Sequence, residues 1–226
     1  MVKVVILVGG RGLRLNELTQ DIPKSMILIN DKPLLLYILK HYAKYGFTDF
    51  IFCLGYKGEM IKEYFEKTDF NITFVDTGEN STKTERLKQV EHLIKEDIFL
   101  LSYGDDISNV DLNKLLEFHI KEKRMITLTR IQMKSDFGIL QICNDYVTGF
   151  LEKPNLNFWM NGGYYVMNKE FFKHLEGVTE DFEKSVFPKI ASAYQISAFE
   201  HNGFWKSVNH LKDVQELQNE IKLLEN

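Results

Sequence analysis

The chain has 226 residues, 44% of them hydrophobic, with 28 basic and 32 acidic residues and a net charge of -4. That is ample for a buried core, but it gives no global positive field to gather nucleic acid or an anionic membrane; the expected ligands are small molecules met by local charge. The opening MVKVVILVGG has no signal-peptide cleavage region and no later run is long enough to span a bilayer, so a cytoplasmic location is expected, with neither membrane nor nucleic acid as partner.

Short β-branched runs alternate with helical patterns from the start. A strand is predicted over Lys3 to Val8, a helix over Leu34 to Tyr45 and a strand over Asp49 to Leu54. A helix from Lys57 to Phe65, a strand at Ile72 to Val75, a helix at Thr82 to Ile94 and a strand at Ile98 to Ser102 continue the pattern. Parallel strands need such crossovers, which predicts a doubly wound α/β sheet.

After a helix at Asp111 to Glu122, strands at Met125 to Arg130, Phe137 to Ile142 and Tyr146 to Leu151 follow closely. Asn144-Asp145 is a tight-turn signal between the last two, so antiparallel pairs should enter and make the sheet mixed. A strand at Gly162 to Met167, helices at Lys169 to Leu175 and Phe182 to Ala193, strands at Ile196 to Glu200 and Phe204 to Val208, and a charged helix from Asn209 complete the reading. With no repeat or linker, residues 1–226 read as a single domain. Leu211, Leu217 and Leu224 in the last helix suit packing on the sheet or a subunit contact. Cys53 and Cys143 lie in apolar, strand-like stretches and read as small buried hydrophobes rather than nucleophiles.

In an open α/β sheet, ligands bind beyond the carboxyl ends of the strands, so function is sought in the loops there. Directly after the first strand comes Gly9-Gly10-Arg11-Gly12-Leu13-Arg14-Leu15, whose glycines allow backbone N–H groups to approach phosphate while the arginines supply charge. It is neither a Walker loop, which needs Gly-Lys-Ser/Thr, nor the dinucleotide fingerprint, which needs glycine where Leu15 stands. Downstream, Pro23 stiffens the chain ahead of Lys24, reducing the entropy lost in aiming an ammonium at phosphate.

The ordered set Gly-Gly-x-Gly-x-Arg-Leu, Leu18-Thr19, Pro23-Lys24-Ser25-Met26 and Asp31-Lys32-Pro33 resembles the signature of the sugar-1-phosphate nucleotidyltransferases. Further stretches resemble the cytidylyltransferase branch that includes glucose-1-phosphate cytidylyltransferase. They are Cys53 to Gly58, Val75 to Gly78, Tyr103-Gly104-Asp105, Glu152-Lys153-Pro154, Asn161-Gly162-Gly163 and Gly203-Phe204-Trp205.

The resemblance implies a Rossmann-like mixed sheet and transfer of CMP from CTP to a phosphorylated acceptor, with release of pyrophosphate, for surface-polysaccharide precursors. By the same resemblance, Arg14 and Lys24 are catalytic, while Val8, Gly9, Gly10, Gly12, Thr77, Gly78, Arg86 and Gly104 bind nucleotide. Glu152, Lys153, Asn161 and Gly162 meet the acceptor, and Asp105 takes Mg²⁺. A hexose 1-phosphate is the default acceptor. The alternatives are phosphoglutamine and, in another class, a catalytically silent nucleotide-binding regulatory subunit; a homo-oligomer is a further expectation.

Two departures stand out. Asn209 occupies the place where the branch carries a metal-binding aspartate, and an amide offers only a neutral oxygen. Thr84 and Glu85 replace the branch's paired glycines.

Overall fold

The computed structural model describes residues 2–12, 15 and 19–221; Arg14 and Leu224 lie outside the described residues. In chain order the elements are β1 (Val4–Leu7), β2 (Leu28–Ile29), β3 (Lys32–Pro33), α1 (Leu34–Lys44), β4 (Asp49–Leu54), α2 (Gly58–Phe65), β5 (Asn71–Asp76) and α3 (Lys83–Val90). Then come β6 (Ile98–Tyr103), β7 (Asp106–Ser108), α4 (Leu112–Glu122), β8 (Ile126–Lys134), β9 (Ile139–Cys143), β10 (Tyr146–Leu151) and β11 (Asn155–Asn168). The last are α5 (Phe182–Ser185), α6 (Phe187–Ser192), β12 (Ile196–Glu200), β13 (Trp205–Ser207) and α7 (Leu211–Glu220).

One seven-stranded sheet has the order β12-β8-β11-β6-β1-β4-β5. All neighbours are parallel except β11, which runs against both β6 and β8. The expected doubly wound mixed sheet is therefore present. The chain moves from β1 to β4 and β5 on one side, then returns to place β6 on the other side of β1, so the topological switch point lies between β1 and β6.

The central strand is apolar throughout because both faces are covered. Val4 and Ile6 belong to one core, with Leu35, Tyr42, Phe52, Phe65, Leu115 and Leu217. Val5 and Leu7 belong to the other, with Leu87, Val90, Phe171, Phe182 and Ile190. In α7, Val214 and Leu217 pack on the first core as expected, whereas Leu211 is exposed.

Several sequence expectations need correction. The helix predicted over Phe182 to Ala193 is two short helices meeting at Val186, because Pro188 cannot donate an N–H and its ring crowds the preceding turn. The Lys169 to Leu175 segment is a 3₁₀ helix, and the Thr82 to Ile94 helix ends in a 3₁₀ turn at Glu91–Leu93. The strand near Phe204 does not join the main sheet; β13 pairs with β7, a strand hidden in what reads as an Asp-rich turn. β9 and β10 form the hairpin expected from Asn144-Asp145, with Asn144 at φ 51°, but as a separate two-stranded sheet. Its apolar side chains, among them Ile142, Tyr146 and Phe150, are exposed, and Cys143 is exposed where burial was expected. Cys53 is buried, which pushes its thiol pKa up to about 12 and makes it unsuited to nucleophilic work.

His41 on α1 donates from Nε2 to the Val110 carbonyl at 2.9 Å, and its ring meets Tyr42, Tyr45 and Tyr164 edge to face. Burial lowers its pKa to about 4. Because the unfolded ring takes a proton at higher pH than the folded one, stability should fall as pH drops from about 6.5 to about 4, by roughly 2 to 3 kcal/mol from this ring. Urea unfolding of the wild type and His41→Asn across that range checks it; parallel pH profiles would contradict the assignment.

Candidate active site

The carboxyl ends of β1 and β6 and the segment Glu79 to Lys83 that follows β5 converge on a cavity of about 680 Å³. Of the residues expected to bind nucleotide, phosphate or metal, Val8, Gly9, Gly10, Gly12, Lys24, Arg86, Gly104, Asp105 and Asn209 line it, together with Arg11, Ser25 and Tyr103. The Gly104 N–H donates to the Leu7 carbonyl at 3.2 Å, which carries the pairing of β1 and β6 to the edge of the cavity. The Gly12 carbonyl accepts from the Leu15 N–H at 2.9 Å and the Thr19 hydroxyl at 3.1 Å, which fixes the end of the glycine loop.

At the mouth of β6, the Lys24 ammonium donates to Asp105 Oδ2 at 2.5 Å and to Asn209 Oδ1 at 3.1 Å. Three distant stretches of chain thus meet at one cationic point. Pro23 precedes the short 3₁₀ turn Lys24–Met26 that presents the lysine, with an extended φ and ψ of -68° and 147°. The Asn209 amide donates to the Ser207 hydroxyl at 2.9 Å, and Asp213 Oδ2 accepts from the Asn209 N–H at 2.7 Å, so the amide oxygen is left facing Lys24. Asp213 therefore anchors Asn209 and the start of α7.

Asp106, the other neighbouring carboxylate, is buried. Burial first and the Asp105 charge second raise its pKa to about 7, opposed by a hydrogen bond with Ser207. It packs against Gly163, whose φ is 76° and where a Cβ would lie 2.1 Å from Asp106 Oδ2. That glycine makes room for a carboxylate. Among the described residues, no group of three or more His, Cys, Asp or Glu side chains could hold a metal ion.

Arg86 lines the cavity but directs its guanidinium into the wall. It donates to the carbonyls of Leu54 (2.9 Å), Gly9 (3.1 Å) and Glu79 (3.2 Å) and to the Thr77 hydroxyl (2.7 Å). A Cβ on Gly9 would fall 2.1 Å from Arg86 Nη1, so this glycine admits the guanidinium to the loop. Thr77 donates to the Leu54 carbonyl at 2.5 Å and does not line the cavity, and the Gly78 N–H is held by Asp76 Oδ1 at 3.0 Å. Arg86 thus ties the glycine loop to the ends of β4 and β5.

Thr84 and Glu85 have structural work. Glu85 completes a capping box with Thr82 at the start of α3, and the Thr84 hydroxyl donates to the Glu180 carbonyl at 2.5 Å. On the expected acceptor side, Asn161 donates to the Tyr165 hydroxyl and accepts from the Gly163 N–H at 3.1 Å, while the Gly162 carbonyl accepts from Trp205 Nε1 at 2.7 Å. Glu152 and Lys153, just past the hairpin, are exposed and do not line the cavity. Sequence reasoning missed Lys83 and Asp181, which do line it. A lysine in the segment that departs from the branch was a signal for the first; the second has none.

The profile of the nucleotidyl transferase family matches residues 3–222. The chain belongs to that family. It is 36% identical over 237 residues to the glucose-1-phosphate cytidylyltransferase of Salmonella typhimurium, covering 93% of this chain and 92% of that one. It is 34% identical over 240 residues to the probable glucose-1-phosphate cytidylyltransferase of Bacillus subtilis, covering 95% and 94%. The crystal structure of HddC from Yersinia pseudotuberculosis superposes with a TM-score of 0.76 at 25% identity, over 98% of this chain and all of that one.

Replacing Arg86 with Met should leave several buried carbonyls without donors and destabilise the nucleotidyltransferase by about 3 kcal/mol or more in urea unfolding. A loss below about 1 kcal/mol would show that the wall does not depend on it.

Proposed function

We propose that this enzyme transfers CMP from CTP to a hexose 1-phosphate, with glucose 1-phosphate the default acceptor, releasing pyrophosphate. The observation that carries the reading is the Lys24 ammonium fixed against Asp105 and Asn209, beside the glycine loop, at the carboxyl ends of β1 and β6. The names of the Salmonella and Bacillus relatives supply the nucleotide and the acceptor.

An acceptor phosphate oxygen attacks the α-phosphorus in line; it is already anionic, so no general base is required, and catalysis rests on positioning and cations. The amides around Gly10 and Gly12 hold the triphosphate, Arg14 draws charge from the departing pyrophosphate, and Lys24 neutralises the phosphate at the reacting centre. Val8 and Gly104 form the floor beneath the nucleotide. Arg86, with Thr77 and Gly78 behind it, holds that floor in shape. Asn161 and Gly162 shape the acceptor side, and Glu152 and Lys153 serve the acceptor from the exposed end of the hairpin.

Mg²⁺ fits the donors present. Asp105 Oδ2 and Asn209 Oδ1, which accept from Lys24 in this structure, are hard oxygens that would hold the ion once Lys24 turns to the substrate phosphate, and Mg²⁺ commonly takes only one or two protein ligands, completing its shell with phosphate and water. When bound, the ion would neutralise triphosphate charge. A cytoplasmic location is the reading that a CTP donor supports; among the described residues no helix is long and apolar enough to cross a membrane. One sheet carrying both cores supports a single catalytic domain, and the exposed apolar hairpin supports self-association. The product is suited to surface-polysaccharide assembly.

Pyrophosphate release is measured with each of the four NTPs against sugar 1-phosphates and phosphorylated amino acids, including phosphoglutamine, with mass analysis of the product. A CDP-linked sugar is expected. Lys24→Ala should lower kcat about 100-fold or more while the fold persists. An unchanged rate would remove Lys24 from the mechanism, and no turnover with any pair would turn the reading toward a silent regulatory subunit.

A further inference from the structure

At the side of the cavity formed by Lys83, Tyr103 and Asp181 lies an ion pair that the transfer chemistry does not use. The Lys83 ammonium sits 4.8 Å from the centre of the Tyr103 ring and donates to Glu183. Tyr103 also donates to Glu183 Oε1, and its hydroxyl lies 2.8 Å from that of Tyr165, to which Asn161 donates. A hydrogen-bonded chain therefore runs from Lys83 to Asn161, the residue expected to face the acceptor. Lys83 and Tyr103 line the same cavity as Lys24 and Asp105.

Lys83 is held from both ends. Its N–H donates to Asp181 Oδ1 at 2.8 Å, and the neighbouring Thr84 hydroxyl is tied to the Glu180 carbonyl. An ammonium has three donors, and Glu183 takes one, which leaves capacity for a ligand. The Lys83 side chain is 39% exposed, whereas Glu183 Oε2 is sealed from solvent without a partner. Paired charges in the wall favour a neutral group that is rich in hydrogen bonds over a second net charge on the ligand.

We infer that Lys83, held by Glu183 above the Tyr103 ring, is a specificity-determining residue that donates to a hydroxyl group on the uncharged sugar ring of a sugar 1-phosphate acceptor. Glu183 is a positioning residue that aims the ammonium. The inference rests on the acceptor reading above.

The test is steady-state kinetics of wild type, Lys83→Met, Lys83→Arg and Glu183→Gln with CTP, glucose 1-phosphate and its 2-, 3-, 4- and 6-deoxy analogues. Lys83→Met should raise KM for glucose 1-phosphate about tenfold or more, since a hydrogen bond from a charged donor is lost. KM for CTP should stay within about twofold, which separates a local contact from general damage. One deoxy analogue, lacking the hydroxyl that Lys83 reads, should be indifferent to the substitution. Lys83→Arg should retain part of the selectivity, and Glu183→Gln should weaken it. If glucose 1-phosphate is turned over and Lys83→Met leaves its KM unchanged, or raises both KM values together, this inference alone fails. If the wild type uses phosphorylated amino acids and no sugar 1-phosphate, the acceptor reading fails and takes the inference with it.

Discussion

The contact on which the rest of this structure depends joins the Lys24 ammonium to Asp105 and Asn209. Its members are far apart in the chain, and each is delivered by a different device. A proline-led turn presents Lys24, the end of β6 presents Asp105, and the start of α7, pinned by Asp213, presents Asn209. The lysine is paired with a single carboxylate and a neutral amide, so its charge is met by only one opposite charge. Desolvation offsets much of the Coulombic gain of such a pair, so its value lies in fixing geometry more than in stabilising the fold.

Around that contact, the sheet does the positioning. The switch point between β1 and β6 opens the cavity, and Arg86 binds the glycine loop to the neighbouring strand ends through carbonyl oxygens. A cation in the wall, Arg86, organises the backbone while another cation, Lys24, lines the cavity against Asp105 and Asn209. Gly9 and Gly163 are needed for close approach by Arg86 and Asp106, so part of the glycine pattern serves the scaffold beneath the site.

Much of this was legible in the sequence, because continuous apolar runs such as Val4 to Leu7 and helical spacing in Leu34 to Lys44 are direct consequences of burial. Lys24, Asp105 and the glycine loop were also legible, since each follows a strand or a stiffening proline. What escaped depended on tertiary contact. No local signal says that Asp106 to Ser108 pairs with Trp205 to Ser207 or that Cys143 is exposed on a hairpin outside the main sheet, whereas Pro188, at which one expected helix becomes two, is itself a local signal. Thr84 and Glu85 were noted only as departures from a pattern; the tie of Thr84 to Glu180 depends on where the approach to α5 lies, whereas the capping box of Glu85 with Thr82 is a local Thr-x-x-Glu spacing.

Restoring the second carboxylate tests the central contact most directly. In Asn209→Asp, Mn²⁺ binding in the presence of CTP, followed by electron paramagnetic resonance, should tighten about tenfold, because hard cations prefer charged oxygen. The Mg²⁺ concentration needed for pyrophosphate release should fall with it. Unchanged or weaker metal binding in that variant would contradict the account, by showing that the oxygens facing Lys24 are not those that meet the metal.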